Sequence, residues 1–381
     1  MKRFSPILPL LLVAVFVAGC SGPVLANPAA AHPVVTPLPP TSPRPADPVP
    51  IVLPDDDAPH DRLTEWWYDT GHLRATDGRR FGFEFVVFRA ERGGFPVSWA
   101  SHLALTDETG QAFHYAQRSE IGPQVDRSPR DGDAPLEYSF VVEGGGRTPW
   151  TMTGGDGSDE LLASATGDEV GGDPVSGFGI DLRLTARKPA ALHGGDGWID
   201  FGPAGGSYYY SRTDMAATGT VTLGDETLAV EGDAWFDHQW GDFISVGGGG
   251  WDWFAVNLDD GTDLTLSLVR AADGTYPLVY GTLVDADGST TDLGADDFSV
   301  EVTDEWTSPA TGATYPAAWR VRVPSQALEI DLRPTVAQQE LDTRATTGVV
   351  YWEGSQVVTA TRDGRRLGGQ AYVELTGYAK P

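Results

Sequence analysis

From about His60 to the C-terminus the chain consists of short runs in which apolar and polar residues alternate, and that period of two limits what it can fold into. Examples are Phe81-Gly-Phe-Glu-Phe-Val-Val-Phe, Leu264-Thr-Leu-Ser-Leu-Val, Ala318-Trp-Arg-Val-Arg-Val and Gln370-Ala-Tyr-Val-Glu-Leu. Side chains along a strand point alternately to opposite faces, so such a run makes a strand with one buried face. Asp-Gly pairs stand beside these runs at Asp77-Gly78, Asp260-Gly261, Asp273-Gly274, Asp287-Gly288 and Asp363-Gly364. The dipeptide suits tight hairpins because glycine accepts the positive φ that the turn demands. Only Thr335 to Leu341 carries a trace of helical spacing, so the pattern predicts an all-β body.

The runs also recur in order. Trp67-Tyr68, an Asp-Gly turn and a strand ending in Arg89 have a counterpart in Trp253-Phe254 through Asp260-Gly261 to Arg270. Ile180-Asp-Leu-Arg183 returns as Ile330-Asp-Leu-Arg333, and Gly232-Asp-Ala-Trp-Phe-Asp237 as Gly369-Gln-Ala-Tyr-Val-Glu374. Three matches in one order predict a duplication with its boundary between Asp242 and Gly250, dividing the body into 60–243 and 244–381. Each half suits one closed antiparallel barrel, which removes exposed sheet edges and can hold a ligand inside.

Upstream of the body, Lys2 and Arg3 precede an apolar run from Ile7 to Phe16 that ends in Val17-Ala18-Gly19-Cys20. This is the layout of a secretory signal over residues 1–20. The cysteine at the cut site resembles a bacterial lipobox, in which the thiol is acylated before cleavage. Cys20, the single cysteine, is therefore the expected lipidation site, and no disulfide can form within the chain. Stability must come from packed core, for which the roughly 320 residues of the body suffice. Residues 21–59 are rich in proline and nearly free of aromatics, which predicts a disordered, extended tether. A net charge of −28 argues against nucleic acid and against anionic headgroups, both of which call for clustered Lys and Arg. The expected location is extracytoplasmic, held to a membrane by the lipid.

A set of motifs now carries a resemblance: Glu65-Trp-Trp-Tyr-Asp-Thr-Gly-His-Leu73, Ser101-His-Leu-Ala-Leu-Thr-Asp107, Tyr208-Tyr-Tyr-Ser-Arg212, Gly232-Asp-Ala-Trp-Phe-Asp-His-Gln-Trp-Gly241, Gly250-Trp-Asp-Trp-Phe254, Tyr351-Trp-Glu-Gly354 and Tyr372-Val-Glu-Leu-Thr-Gly-Tyr378. Together they resemble the AttH-like, carotenoid 1,2-hydratase (hydroxyneurosporene synthase) superfamily, from about His60 to the C-terminus. The resemblance implies two tandem lipocalin-like (calycin-type) antiparallel β-barrels. The activities it implies are diverse: hydration of carotenoid double bonds, pericyclase chemistry in fungal pathways, and exported members called hydrolases. It further implies a site in which a His and a Trp of one motif, with a nearby acid and a Tyr, act on a polyene. The matching positions here are His238 and Trp240, with Asp237 adjacent and Asp252 beyond, while Trp251-Asp252-Trp253 contains no tyrosine.

The residues themselves bear on that site. Along a strand from Asp233 to Trp240, alternation puts Phe236, His238 and Trp240 on one face and Asp233, Trp235 and Asp237 on the other. Hydrating an isolated alkene needs a strong proton donor, and an electron-rich ring can face the carbocation that results. Against this, a Trp-rich strand closing a barrel commonly serves as core, and the recurrence of Asp237 as Glu374 favours a structural bonding role. Glu65, Trp67, Tyr68 and His72 open the other motif, with Tyr68 and His72 on one face and Glu65 opposite. Together with His102 from a neighbouring strand they are candidate ligand-binding residues. His72, His102, His114 and His238 show no metal-ligand spacing, so neither a metal nor another cofactor is expected. The chain has no G-x-S-x-G elbow and no Walker loop. Two functions remain: an enzyme performing acid–base chemistry on an apolar lipid or isoprenoid, or a lipocalin-like carrier of such a molecule.

Overall fold

A computed structural model of the protein describes residues 46–129, 137–243 and 248–379; Cys20 and most of the predicted tether lie outside them. The first sheet contains β1 (Thr64–Ala75), β2 (Arg80–Ala90), β3 (Ser98–Asp107), β4 (Ala112–Ile121), β5 (Tyr138–Val142), β6 (Trp150–Gly155), β7 (Ser158–Thr166), β8 (Gly177–Ala186), β9 (Gly206–Leu223) and β10 (Glu226–Gly241). The second contains β11 (Gly248–Leu258), β12 (Asp263–Ala271), β13 (Leu278–Val284), β14 (Thr290–Gly294), β15 (Ser299–Thr307), β16 (Thr314–Val323), β17 (Leu328–Pro334), β18 (Val350–Arg362) and β19 (Arg365–Thr376). A few two- and three-residue strands flank these. Thr335 to Leu341, the stretch with a trace of helical spacing, follows Pro334, which ends β17, and leads into a short strand at Glu340–Asp342. Proline supplies no backbone N–H and discourages helix in the residue before it.

Both sheets follow one path. The order β6-β7-β8-β9-β10-β1-β2-β3-β4 in the first is matched by β15-β16-β17-β18-β19-β11-β12-β13-β14 in the second, with β5 added at the edge of the first. The long hairpins close as the Asp-Gly pairs predict. At Asp363-Gly364 both residues have positive φ, 50° and 75°, and the turn joins Arg362 of β18 directly to Arg365 of β19.

The register also corrects the repeat. Tyr68 of β1 faces Asp237 of β10, and Trp253 of β11 faces Glu374 of β19. Tyr68, not Trp67, is thus the partner of Trp253. A slip of one residue moves a side chain to the other face of the sheet. Trp67 accordingly lies in the first barrel, whereas Trp253 lies between the barrels.

Each sheet curls around its own apolar core, to which strands along its whole length contribute. In the first, the two ends of the sheet meet at an isolated bridge between Asp126 and Phe140 rather than through a closing ladder among the described residues. We refer to the curled sheets as barrel 1 and barrel 2. The lumen of barrel 1, expected to hold space for a ligand, is occupied at its centre by rings: Trp67 lies 4.5 Å from Phe140, and Tyr138 stacks on Phe236 at 6.0 Å. Between the barrels lies a separate aromatic cluster of Tyr68, Trp235, Trp253 and Tyr372. Among the described residues no helix is long and apolar enough to cross a membrane.

Residues 46–62 lie outside the sheets yet belong to the body, although their composition groups most of them with the tether. Arg62 pairs with Asp47 at 2.6 Å, the backbone N–H of Val49 donates to Tyr208 Oη at 2.9 Å, and Trp67 Nε1 donates to the Asp57 carbonyl at 3.1 Å. This segment covers the mouth of barrel 1.

Candidate active site at the mouth of the first barrel

Adjacent strands β1 and β10 direct alternate side chains into barrel 1. Their register sets Glu65 beside Trp240, Trp67 beside His238, and Asp69 beside Phe236. Glu65 and His238 are fully buried, and His238 Nε2 lies 3.0 Å from Glu65 Oε1. His60, from the covering segment, brings Nδ1 to within 2.7 Å of the same oxygen, while its backbone N–H donates to Glu65 Oε2 at 2.9 Å. The other ring nitrogen of His60 lies 3.2 Å from Asp56 Oδ1. The His60 ring stacks on Trp240 at 4.1 Å, and His238 stacks on Trp67 at 4.6 Å.

Charge follows from this geometry. Burial would raise the Glu65 carboxyl, but His60 and His238 outweigh it and hold it down at about 2. The two histidines are driven apart. Burial works against the charge on His60, yet the attraction of Glu65 and Asp56 prevails and its pKa rises. For His238 burial prevails over Glu65, and its pKa falls. A ring with carboxylates at both nitrogens is best satisfied as an imidazolium, so His60 is the protonated member. Neutral His238 donates from Nε2 to Glu65, and its Nδ1 is buried with no partner among the described residues.

One nitrogen from each histidine and one Glu65 oxygen lie within 4.8 Å of one another, a grouping in which a divalent cation could be seated. A cation seated there would have to displace the proton that the two carboxylates favour on His60. The same three groups satisfy each other through N–H···O bonds.

The remaining candidates lie elsewhere. Tyr68, His72, His102 and Asp237 project from the opposite face of the first sheet, toward barrel 2. Tyr68 Oη donates to Glu353 Oε1 at 2.6 Å, His72 Nε2 lies 3.1 Å from the Ala371 carbonyl, and His102 Nδ1 lies 2.8 Å from Tyr351 Oη. Asp237 is next to His238 in sequence but on the other side of β10, where it accepts from Tyr209 Oη and Trp235 Nε1, each at 2.7 Å. Asp252 is on the core side of β11, in barrel 2, bonded to Arg270 at 2.9 Å and to Tyr378 at 3.0 Å. Neither acid shares a site with His238. The acid that does is Glu65, and the residues missed by sequence reasoning are His60, Asp56 and Asp57. Their position five to nine residues before Glu65 was the available signal; proline-rich surroundings obscured it.

A family model for AttH-like proteins matches residues 44–378. The chain belongs to the AttH-like family. Its fold agrees with solved relatives. The crystal structure of an AttH protein from Nitrosomonas europaea is 30% identical, with 91% of the AttH-like chain and 100% of that protein covered at a TM-score of 0.72. Kievitone hydratase from Nectria haematococca, 16% identical, covers 86% of the chain and 93% of its own length at a TM-score of 0.64. CghA in complex with Sch210972, at 14% identity, covers 83% and 89% with a TM-score of 0.51. The last two likenesses concern the fold alone. A search of curated proteins finds no match.

Proposed function

We propose that barrel 1 of this AttH-like chain adds water to, or removes it from, a carbon–carbon double bond of an apolar lipid or isoprenoid. The observation that carries this reading is a pair of histidines on one carboxylate with their pKa values moved in opposite directions. Groups of one type that environment separates in this way assign themselves as acid and base. His60 holds a proton near the solvent-accessible mouth, where one-fifth of its side chain is exposed. His238 offers a free Nδ1 deeper in, and Glu65 stabilises the imidazolium formed when that nitrogen takes a proton from water. The face of Trp240 supports the His60 imidazolium, and that of Trp67 the imidazolium that His238 becomes. A relative of the same fold is named a hydratase, which supports the reaction class.

The ligand would enter at the mouth, past residues 46–62. We further propose that the chain is exported and that acylated Cys20 anchors it, which suits an apolar substrate collected at a membrane surface. Cys20→Ser should then move the protein from the membrane to the soluble fraction; unchanged membrane association would refute the anchor.

The chemistry is tested with citronellol, an isoprenoid alcohol with one trisubstituted double bond, in ¹⁸O-labelled water. Wild type should yield the diol carrying one labelled oxygen, and His238→Ala should lose about a hundredfold or more of that rate while still unfolding cooperatively. Binding without turnover in wild type would instead identify a carrier. A variant that melts much lower yet turns over normally when folded would make His238 a structural residue.

A further inference from the structure

Ten buried side-chain polar atoms have no partner among the described residues, and five of them lie in the lumen of barrel 1: both oxygens of Asp69, Asp159 Oδ2, Arg212 Nη1 and His238 Nδ1. Native folds rarely leave such atoms unsatisfied, and a cluster of them calls for an occupant. His238 belongs to the site described above. The other three residues form a second group one layer deeper.

Phe236 fixes where they stand. Asp69 faces it across β1, and Arg212 faces it across β9, so the acid and the guanidinium flank one ring. Asp69 is wholly buried, and Arg212 and Asp159 nearly so, at 6% and 2% exposure. Each is held from behind. Arg212 Nη2 pairs with Asp57 at 3.1 Å, which leaves Nη1 free, and Tyr138 Oη donates to Asp159 Oδ1 at 2.5 Å, which leaves Oδ2 free. Burial, together with the nearby charges of Asp159 and Asp237, pushes the Asp69 carboxyl well above its usual range, so it is a neutral acid. The free atoms therefore comprise a guanidinium donor, a carboxylate acceptor and a carboxylic acid able to do both.

We propose that Asp69, Asp159 and Arg212 form a hydroxyl-binding station that holds the alcohol oxygen of a ligand inside barrel 1. A hydroxyl accepts from Arg212 and donates to Asp159, with Asp69 completing its shell. A carboxylate ligand would meet the charges of Asp159 and Asp57, and a cation would meet Arg212. The station rests on the proposed function in one respect: an apolar molecule must enter this lumen, parting the rings of Tyr138 and Phe236 that fill its centre.

The test uses two probes that cannot be hydrated, 3,7-dimethyloctan-1-ol and its methyl ether, followed by quenching of tryptophan fluorescence. Wild type should bind the alcohol about tenfold more tightly than the ether, because the ether cannot donate. Asp69→Leu, similar in shape but apolar, should bind both alike and melt higher than wild type, since it removes an unsatisfied buried acid. Asp69→Asn, which can both donate and accept, should keep part of the preference. Equal binding of the two probes by wild type would mean that these atoms hold only structural water and would overturn the station while leaving ligand entry intact. Binding of neither probe would overturn ligand entry and the station together. A preference retained in Asp69→Leu, or loss of folding in both variants, would assign Asp69 a structural role and refute the proposal.

Discussion

In barrel 1 the register that pairs Tyr68 with Asp237 sets Asp69 beside Phe236, with Arg212 beyond; in barrel 2 the register that pairs Trp253 with Glu374 sets Phe254 beside Val373, with Gly354 beyond. His238 likewise corresponds to Leu375, and Tyr210 to Trp352. Every ionisable position of the first lumen in this comparison has become apolar or bare in the second. The face between the barrels behaves differently, for there both copies keep a carboxyl, buried at Asp237 and half-buried at Glu374. Two sheets of one topology thus keep the same carboxyl at their junction, while the histidine–carboxylate site lies in the first and the second holds the Asp252–Arg270 pair instead. Buried groups lacking partners cost stability.

The sharpest way to break this comparison is to move an acid across. Phe254 is fully buried and packs edge-on against Trp319 at 5.6 Å. Phe254→Asp removes the ring and buries a carboxyl among apolar groups, so we expect a loss of about 5 kcal/mol, measured by denaturant unfolding. A loss below about 1 kcal/mol would mean that the barrels tolerate acids equally, and that the contrast has no energetic content. Next in size is Glu65→Ala, which leaves the charged His60 without its main partner; it should cost about 3–5 kcal/mol, and Glu65→Gln less.

The smallest effect is read from pH, with Glu374→Gln isolating the share of the junction. At the junction burial raises Asp237 to about 6 and Glu374 to about 7. A carboxyl raised on folding contributes stability that is complete below its unfolded pKa and is lost as pH rises through the folded one. The melting temperature should therefore fall by a few degrees between pH 5 and pH 8, and less in Glu374→Gln. Glu65 is depressed, so its contribution is present above pH 4.5 and lost as pH falls toward 2. Loss in strong acid thus belongs to the Glu65 site, whereas loss as pH rises is shared by the junction carboxyls and by Asp69, Asp159 and His60 of barrel 1, whose pKa values are also raised. A melting temperature that is flat from pH 5 to pH 8 would show that the junction carboxyls are not held neutral.

Strand parity was legible because sheet geometry has a period of two: Phe236, His238 and Trp240 share the lumen, and Asp233, Trp235 and Asp237 the other face. Topology was legible through the repeated order of motifs, although its register was one residue out because the Trp-aromatic pairs look alike whichever way they face. Three things were hidden. His60 and Asp57 reach the site by folding back over the mouth, a tertiary event with no periodic trace. Asp252 was drawn toward His238 by proximity in sequence, whereas β11 opens the second barrel. Filling of the lumen depends on rings meeting across it, as Trp67 meets Phe140, and local pattern does not encode such contacts.

The cover over the mouth also has a mechanical consequence. Residues 46–62 are the part of the body nearest the N-terminal segment, so tension applied from that side loads the Asp47–Arg62 and Asp47–Tyr208 contacts before any sheet ladder. These are single contacts that can be peeled in succession, whereas β1 and β10 share a long ladder from Thr64–Gly241 to Ala75–Val230. Under such a pull the mouth would yield first, carrying Asp57 and His60 away from Arg212 and Glu65 while the strands behind them stay paired.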